Sequence, residues 1–129
     1  MKTLIKGIVN RNTIFNDKQV LFLSVDAPEL ERIEKLINDE FGENYTGCPI
    51  KYDDNGNCYI KATSGYDIAM YEKTIPGTIK IDDVGVGSEV TMQVNLKATK
   101  FQRNTDIIAY LLAVNVHNLV DPVYENPFL

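Results

Sequence analysis

The sequence predicts a mainly β domain: a small closed barrel of about five strands with one inserted helix. Three observations carry that reading. Val90, Met92, Val94, Leu96 and Ala98 alternate with Thr91, Gln93, Asn95, Lys97 and Thr99, which is the period of a long half-buried strand. Only Pro28 to Phe41 repeats its apolar residues at helical spacing. No strand-helix-strand unit recurs, which argues against a layered α/β sheet.

Lys2 to Asn10 mixes Ile5, Ile8 and Val9 with polar residues and reads as a first strand, and Arg11 to Lys18 reads as a turn. Gln19 to Asp26 is apolar on both faces, as a buried strand is. Asp26 is placed to cap the helix, Pro28 suits its first turn, and Gly42 stops it. Leu30, Ile33, Leu36, Ile37 and Phe41 share one helix face, and acids cover the other. Glu43 to Asp54 is polar and reads as loop. Asp53-Asp54-Asn55-Gly56, between Ile50-Lys51-Tyr52 and Tyr59-Ile60-Lys61-Ala62, marks a hairpin. Asp67 to Lys73 has no clear period. Pro76-Gly77 marks a turn, and Thr78 to Ile81 reads as a short strand. Gly85-Val86-Gly87-Ser88 is a turn feeding the long alternating strand. Gln102 to Thr105 is the next turn, and Ile107 to Val116 is a last apolar strand. One domain is expected over 1–120, followed by a tail over 121–129 that holds two prolines and no period.

At 129 residues the chain is long enough for a core without staples. Its formal charge of -5 argues against a uniformly basic nucleic-acid binder. The charges are segregated, however. Glu29, Glu31, Glu34, Asp39, Glu40 and Glu43 crowd the helix, while Lys97, Lys100 and Arg103 lie together with few acids nearby. That leaves room for a basic face. Cys48 and Cys58, with His117 far off in sequence, do not make a zinc site. With no signal-peptide pattern before them they read as reduced thiols of an intracellular protein. No apolar run approaches the roughly 18 residues of a membrane span.

The chemistry of catalysis is not written here. His117 stands at the end of an apolar strand, where a structural role is the simpler account. No serine or cysteine lies in a nucleophile motif. Asp53-Asp54 and Asp82-Asp83 fall in turns, where aspartate serves local needs. The run Asp53 to Asn57 lacks the closing glutamate of a calcium loop. No enzyme activity, metal or cofactor is expected. Binding features are better represented. A single-strand binder stacks bases on aromatic rings and tracks the backbone with cations. Tyr59, Lys61 and Thr63 share a strand face, with Lys51 and Tyr52 across the turn. Lys97 shares a face with Phe101, and Lys100 and Arg103 continue past it. Tyr66, Tyr71 and Lys73 fall in the middle segment. The tail adds Asp121, Tyr124, Glu125 and Phe128, an acidic, proline-containing end with aromatics suited to docking on a protein.

Taken in order, these parts resemble the single-stranded-DNA-binding proteins of the short-tailed, T-odd phage type. A strand over Val20 to Val25 leads into the helix. A loop with Tyr52, an Asp-Asn-Gly turn and a strand with Tyr59 and Lys61 follow. Ile79 to Asp83 then runs into Val84-Gly85-Val86-Gly87-Ser88, the long strand, a basic turn around Lys100 to Asn104, and a last strand from Ile107 to Leu119. Pro127-Phe128 echoes the ends of cellular single-strand binders. This tail departs in carrying Leu129 after the phenylalanine and in being less acidic.

The resemblance implies a five-stranded OB-fold barrel that coats exposed single strands during phage DNA replication, recombination and repair, without sequence specificity. It also implies a place in the cytoplasm of a bacterial host and a tail able to contact the phage polymerase or helicase, and it allows a homodimer. The rival reading is an OB-fold protein-interaction module or virion component that binds no nucleic acid.

Overall fold

Five strands close into a ring whose closing pair is parallel. In this computed structural model, residues 1–15, 18–77 and 79–121 are described, residues 11–15 and 18 by their backbone alone. β1 (Lys2–Phe15) lies antiparallel between β2 (Lys18–Ser24) and β7 (Glu89–Phe101). β2 pairs with β4 (Cys58–Ser64), and β7 pairs with β8 (Asn104–Asn118), both antiparallel. β4 and β8 then run side by side in parallel, Ala62 beside Ala109 and Thr63 beside Tyr110, and the ring is complete. Three short strands extend its edges. β3 (Ile50–Tyr52) pairs with β4, β5 (Ala69–Glu72) lies parallel to β8, and β6 (Ile75–Pro76) folds back on β5.

The alternation read in the sequence is the inside of this ring. Val90, Met92, Val94 and Leu96 of β7 point inward with Ile5 and Val9 of β1, Leu21 and Leu23 of β2, and Ile60 and Ala62 of β4. β8 adds Ile107, Ala109 and Leu111, then Val114 and Val116. The jump between Leu111 and Val114 follows a register shift at Gln93/Val94 of β7. A second shift sits in β1 between Val9 and Arg11. Such bulges let long strands bend around a small barrel.

The helix α1 (Ala27–Phe41) adds Ile33 and Ile37 to the same core. Its start is fixed as the sequence predicts: the Asp26 carboxylate accepts from the Glu29 N–H at 2.9 Å. Gly42, at φ 76°, ends it with its N–H on the Asn38 carbonyl. That left-handed φ favours glycine. Glu29 also accepts from the Lys6 N–H of β1, and Arg32 reaches the Leu4 carbonyl, so the helix is tied to the barrel by polar contacts as well.

Two sequence expectations need correction. Arg11 to Lys18 is not a broad turn. β1 continues through Phe15 and β2 begins at Lys18, with Asn12 paired to Leu21 and Thr13 to Val20. Pairing there is by backbone, so the polar sequence hides it. Ile79 to Ile81 forms no strand, and Thr78 lies outside the described residues. Instead, Ile81–Asp83 is one 3-10 turn, with the Asp83 carboxylate accepting from the Lys80 N–H at 2.9 Å, the local capture of backbone that aspartate favours. Gly77 turns the chain at φ 74° as expected, and a second turn at Lys73 and Thr74, whose φ values are 48° and 69°, joins β5 to β6. The Asp53 hairpin forms as expected: its carboxylate takes the N–H groups of Asn55 and Asn57, both at 2.9 Å.

Candidate nucleic-acid interface

The pleat of β4 sorts its side chains as the sequence suggests. Ile60, Ala62 and Ser64 point into the barrel, and Tyr59, Lys61 and Thr63 point out. Across the strand pairs, Lys51 of β3 stands opposite Tyr59, and Phe22 of β2 stands opposite Lys61. Phe22 faces outward yet is buried, because the Tyr59 ring packs on it edge to face with centroids 5.5 Å apart. This explains why β2 reads as apolar on both faces. Tyr59 itself is half-buried, and Lys61 and Lys51 are exposed.

The outer face continues onto β8 through the closing pair. Ile108 and Tyr110 follow Thr63, and Lys97 stands opposite Ile108 on β7. Beyond Leu96 the β7-β8 ribbon leaves the core, and every residue from Lys97 to Asn104 is exposed. Lys97, Thr99 and Phe101 share its outer face, and Phe101 is 72% exposed. Lys100 lies on the opposite face, and Arg103 is at the tip, where Gln102 turns the chain with φ 55°. Tyr59, Lys61, Lys97, Phe101 and Arg103 are thus distributed along connected strands, with Lys51 added by the hairpin.

Among the other residues singled out in the sequence, Tyr52 lies off this face. Tyr52 is on the far side of the β3-β4 hairpin, opposite Cys58. Its phenol meets the Glu34 carboxylate of α1, and its pKa is raised by burial first, then by Cys58 and Glu34. Tyr71 stands beside Asn115 of β8, and Lys73 is held at the β5-β6 turn with its N–H on the Val116 carbonyl. From Ile108 to Asn115 is about 23 Å of strand at about 3.3 Å per residue, so this pair extends the face along β8. Asp121 is exposed; Tyr124, Glu125 and Phe128 lie outside the described residues. The sequence does not mark Tyr110, because Ile107 to Val116 looks apolar throughout and its outward positions show only once the register is known.

Acidic groups are gathered on α1. Its solvent side presents Glu31, Glu34 and Asp39 around Arg32 and Lys35, with Glu43 just past its end, and carries the ion pairs Arg32–Glu29 and Lys35–Asp39. Lys6, Lys61, Lys97 and Lys100 lie on ring strands. Cys48 and Cys58 are free thiols, and burial raises the Cys58 pKa. His117 is half-buried, its Nε2 2.7 Å from the Thr91 hydroxyl. Among the described residues no group of three or more His, Cys, Asp or Glu side chains could hold a metal ion, and no helix is long and apolar enough to cross a membrane.

No protein-family model and no curated protein sequence matches this chain. Solved structures do. The chain superposes on the single-stranded DNA-binding protein from bacteriophage Enc34 with a TM-score of 0.74, covering 98% of this chain and 86% of that one at 13% identity. The Enc34 protein in complex with ssDNA gives a TM-score of 0.71, over 95% and 89% of the two chains, at 13% identity. For gp2.5, a single-stranded DNA-binding protein encoded by bacteriophage T7, the score is 0.65 at 14% identity, covering 97% and 98%. The chain has the OB fold of these phage proteins. In OB folds, oligonucleotides bind on the face of ring strands two and three and on the loops joining strands one to two and four to five. Here those strands are β2 and β4, where Phe22, Tyr59 and Lys61 lie. The fourth-to-fifth loop is the Gln102–Arg103 tip of the β7-β8 ribbon.

Proposed function

We propose that this chain binds single-stranded DNA without strong sequence preference, coating exposed strands as they arise in phage replication, recombination and repair inside a bacterial host. The observation that carries the reading is the outer face running from Tyr59 and Lys61 on β4, through the Ile108-Tyr110 segment of β8, to Lys97, Phe101 and Arg103. It pairs rings for stacking with cations for phosphate, and it occupies the surface by which OB folds hold oligonucleotides. Supporting it, the fold neighbours are single-stranded DNA-binding proteins by name, and one of them is seen with ssDNA. The chemistry needs no cofactor and no catalytic group. The tail from Asp121, with Tyr124, Glu125 and Phe128, is proposed to dock on a replication partner such as the phage polymerase or helicase, and a homodimer is compatible with this arrangement.

A second reading, a protein-interaction module, is favoured by Leu4 and Ile8. Both stand on the outer face of β1 and are 57% and 47% exposed. One titration separates the two. Fluorescent oligo(dT) is expected to bind well at about 50 mM salt, to bind more weakly as salt rises, and to outcompete duplex of the same length. Equal affinity for duplex, or no binding at low salt, favours the interaction module.

A further inference from the structure

A cleft of about 240 Å³ opens on the outer face where β3 and β8 share one edge of β4. Lys51, Lys61, Thr63 and Asp106 supply its polar lining, and Pro49 and Ile108 are among its apolar walls. The walls are fixed on both sides. Thr46 donates its N–H to the Thr105 carbonyl at 2.8 Å, Ile107 donates to the Gly47 carbonyl at 2.9 Å, and Lys61 donates to the Pro49 carbonyl at 2.9 Å. The Asp106 carboxylate lies against Gly47, so that a Cβ there would have to turn it aside.

Asp106 is the odd member of this face. Lys97 and Arg103 suit a phosphate backbone, Lys51 and Lys61 line the cleft itself, and a carboxylate among these cations repels phosphate. The ion pairs among the described residues are both on α1, so Asp106 is not neutralised by one of them. A carboxylate only accepts hydrogen bonds. On a strand whose phosphates follow the ribbon cations, the base groups able to bond it are N–H donors, the exocyclic amines and the ring N–H of thymine and guanine. With Lys51 and Lys61 of the cleft taking the ring acceptors of a pyrimidine, the exocyclic position is the one left to Asp106. Cytosine offers N4–H₂ where thymine has the O4 acceptor. The remaining cytosine acceptors, O2 and N3, suit the ammonium groups of Lys51 and Lys61. The cleft is smaller than the roughly 300–1,000 Å³ that hold drug-sized ligands, a size suited to one pyrimidine ring turned out of the strand.

We propose that this cleft seats one base of the bound strand and that Asp106 reads its exocyclic amine, favouring cytosine over thymine at that position. The proposal rests on the single-strand reading above and adds one selective subsite to otherwise sequence-tolerant binding. The test compares oligo(dC) with oligo(dT) of about 16 nucleotides, the upper end of OB site sizes, on wild type and on Asp106→Asn. Wild type is expected to favour oligo(dC) by about fivefold or more, the lower end of discrimination by a well-placed polar pair. Asp106→Asn should remove most of that difference, because its amide can also donate to thymine O4. A second arm uses wild type alone: oligo(dC) carrying N4,N4-dimethylcytosine lacks the donors and should fall to the oligo(dT) level. An equal dC-to-dT ratio in wild type and variant, or full affinity for the dimethylated strand, overturns the subsite and leaves single-strand binding standing. Failure of wild type to bind either oligomer overturns the functional reading itself.

Discussion

Tyr59 has one edge of its environment in the protein and the other in solvent. Its ring covers Phe22 at a centroid distance of 5.5 Å, yet it remains only half-buried. Aromatic pairs of this geometry contribute about 0.5–1.5 kcal/mol beyond area burial, while one stacked base contributes about 1–3 kcal/mol to binding. Tyr59→Ala is therefore expected to lower both quantities: thermal stability by a few degrees, at roughly 4 °C per kcal/mol for a domain of this size, and affinity per folded molecule by about 1–3 kcal/mol. Tyr59→Phe keeps the ring and should change each little. Parallel melting and oligo(dT) titration separate the roles. Normal affinity in a destabilised Tyr59→Ala would make the ring a lid for Phe22 and nothing more.

The β7-β8 ribbon shows a different division of labour along a single element. Up to Leu96, β7 alternates buried and half-buried residues; from Lys97 onward everything is exposed. Lys97, Lys100 and Arg103 thus sit where the ribbon has left the core, and replacing all three by alanine should leave the melting temperature nearly unchanged. Each phosphate contact on a single strand contributes about 0.7 to the slope of log affinity against log salt. The triple variant is expected to bind more weakly and to flatten that slope by about 2; an unaltered slope would place the ribbon off the DNA path. This is also the element most legible in the sequence, because a strand with one face on a core writes its period into its residues. The end of β1 is illegible for the opposite reason: polar Arg11, Asn12 and Thr13 pair with β2 through backbone. Outward positions such as Tyr59 and Lys61 can be read from period two alone. The departure of Tyr52 to Glu34 cannot, since it depends on where α1 packs. Asp106 and Tyr110 are hidden because β8 is apolar on both faces, and which of its positions face outward depends on the register shift near Leu111.

At the scale of the whole molecule, a chain of formal charge -5 presents cations on its barrel face by gathering acids on α1 and at the C-terminal end. The chain just before that end is bonded into the barrel. Gly85 donates its N–H to the Val120 carbonyl at 2.7 Å, and the fully buried Ser88 hydroxyl accepts from the Val120 N–H at 2.8 Å. A Cβ on Gly85 would lie 2.6 Å from the Val120 and Asp121 carbonyl oxygens, so the glycine is what lets the chain cross there. Val120 therefore belongs to the barrel, and what lies past Asp121 does not contribute these bonds. A chain ending at Asp121 is expected to melt as the full chain does. One ending at Asn118 leaves Ser88 buried without its partner, a loss of about 1–3 kcal/mol. The two truncations also separate folding from function. If the acidic end competes with DNA for the cationic face, the chain ending at Asp121 should bind oligo(dT) more tightly than full length at low salt. That gain should fade near physiological ionic strength of about 0.15 M, where the Debye length is about 8 Å. Stability unchanged with affinity unchanged at low salt would remove the tail from the DNA equilibrium and leave partner docking as its remaining role.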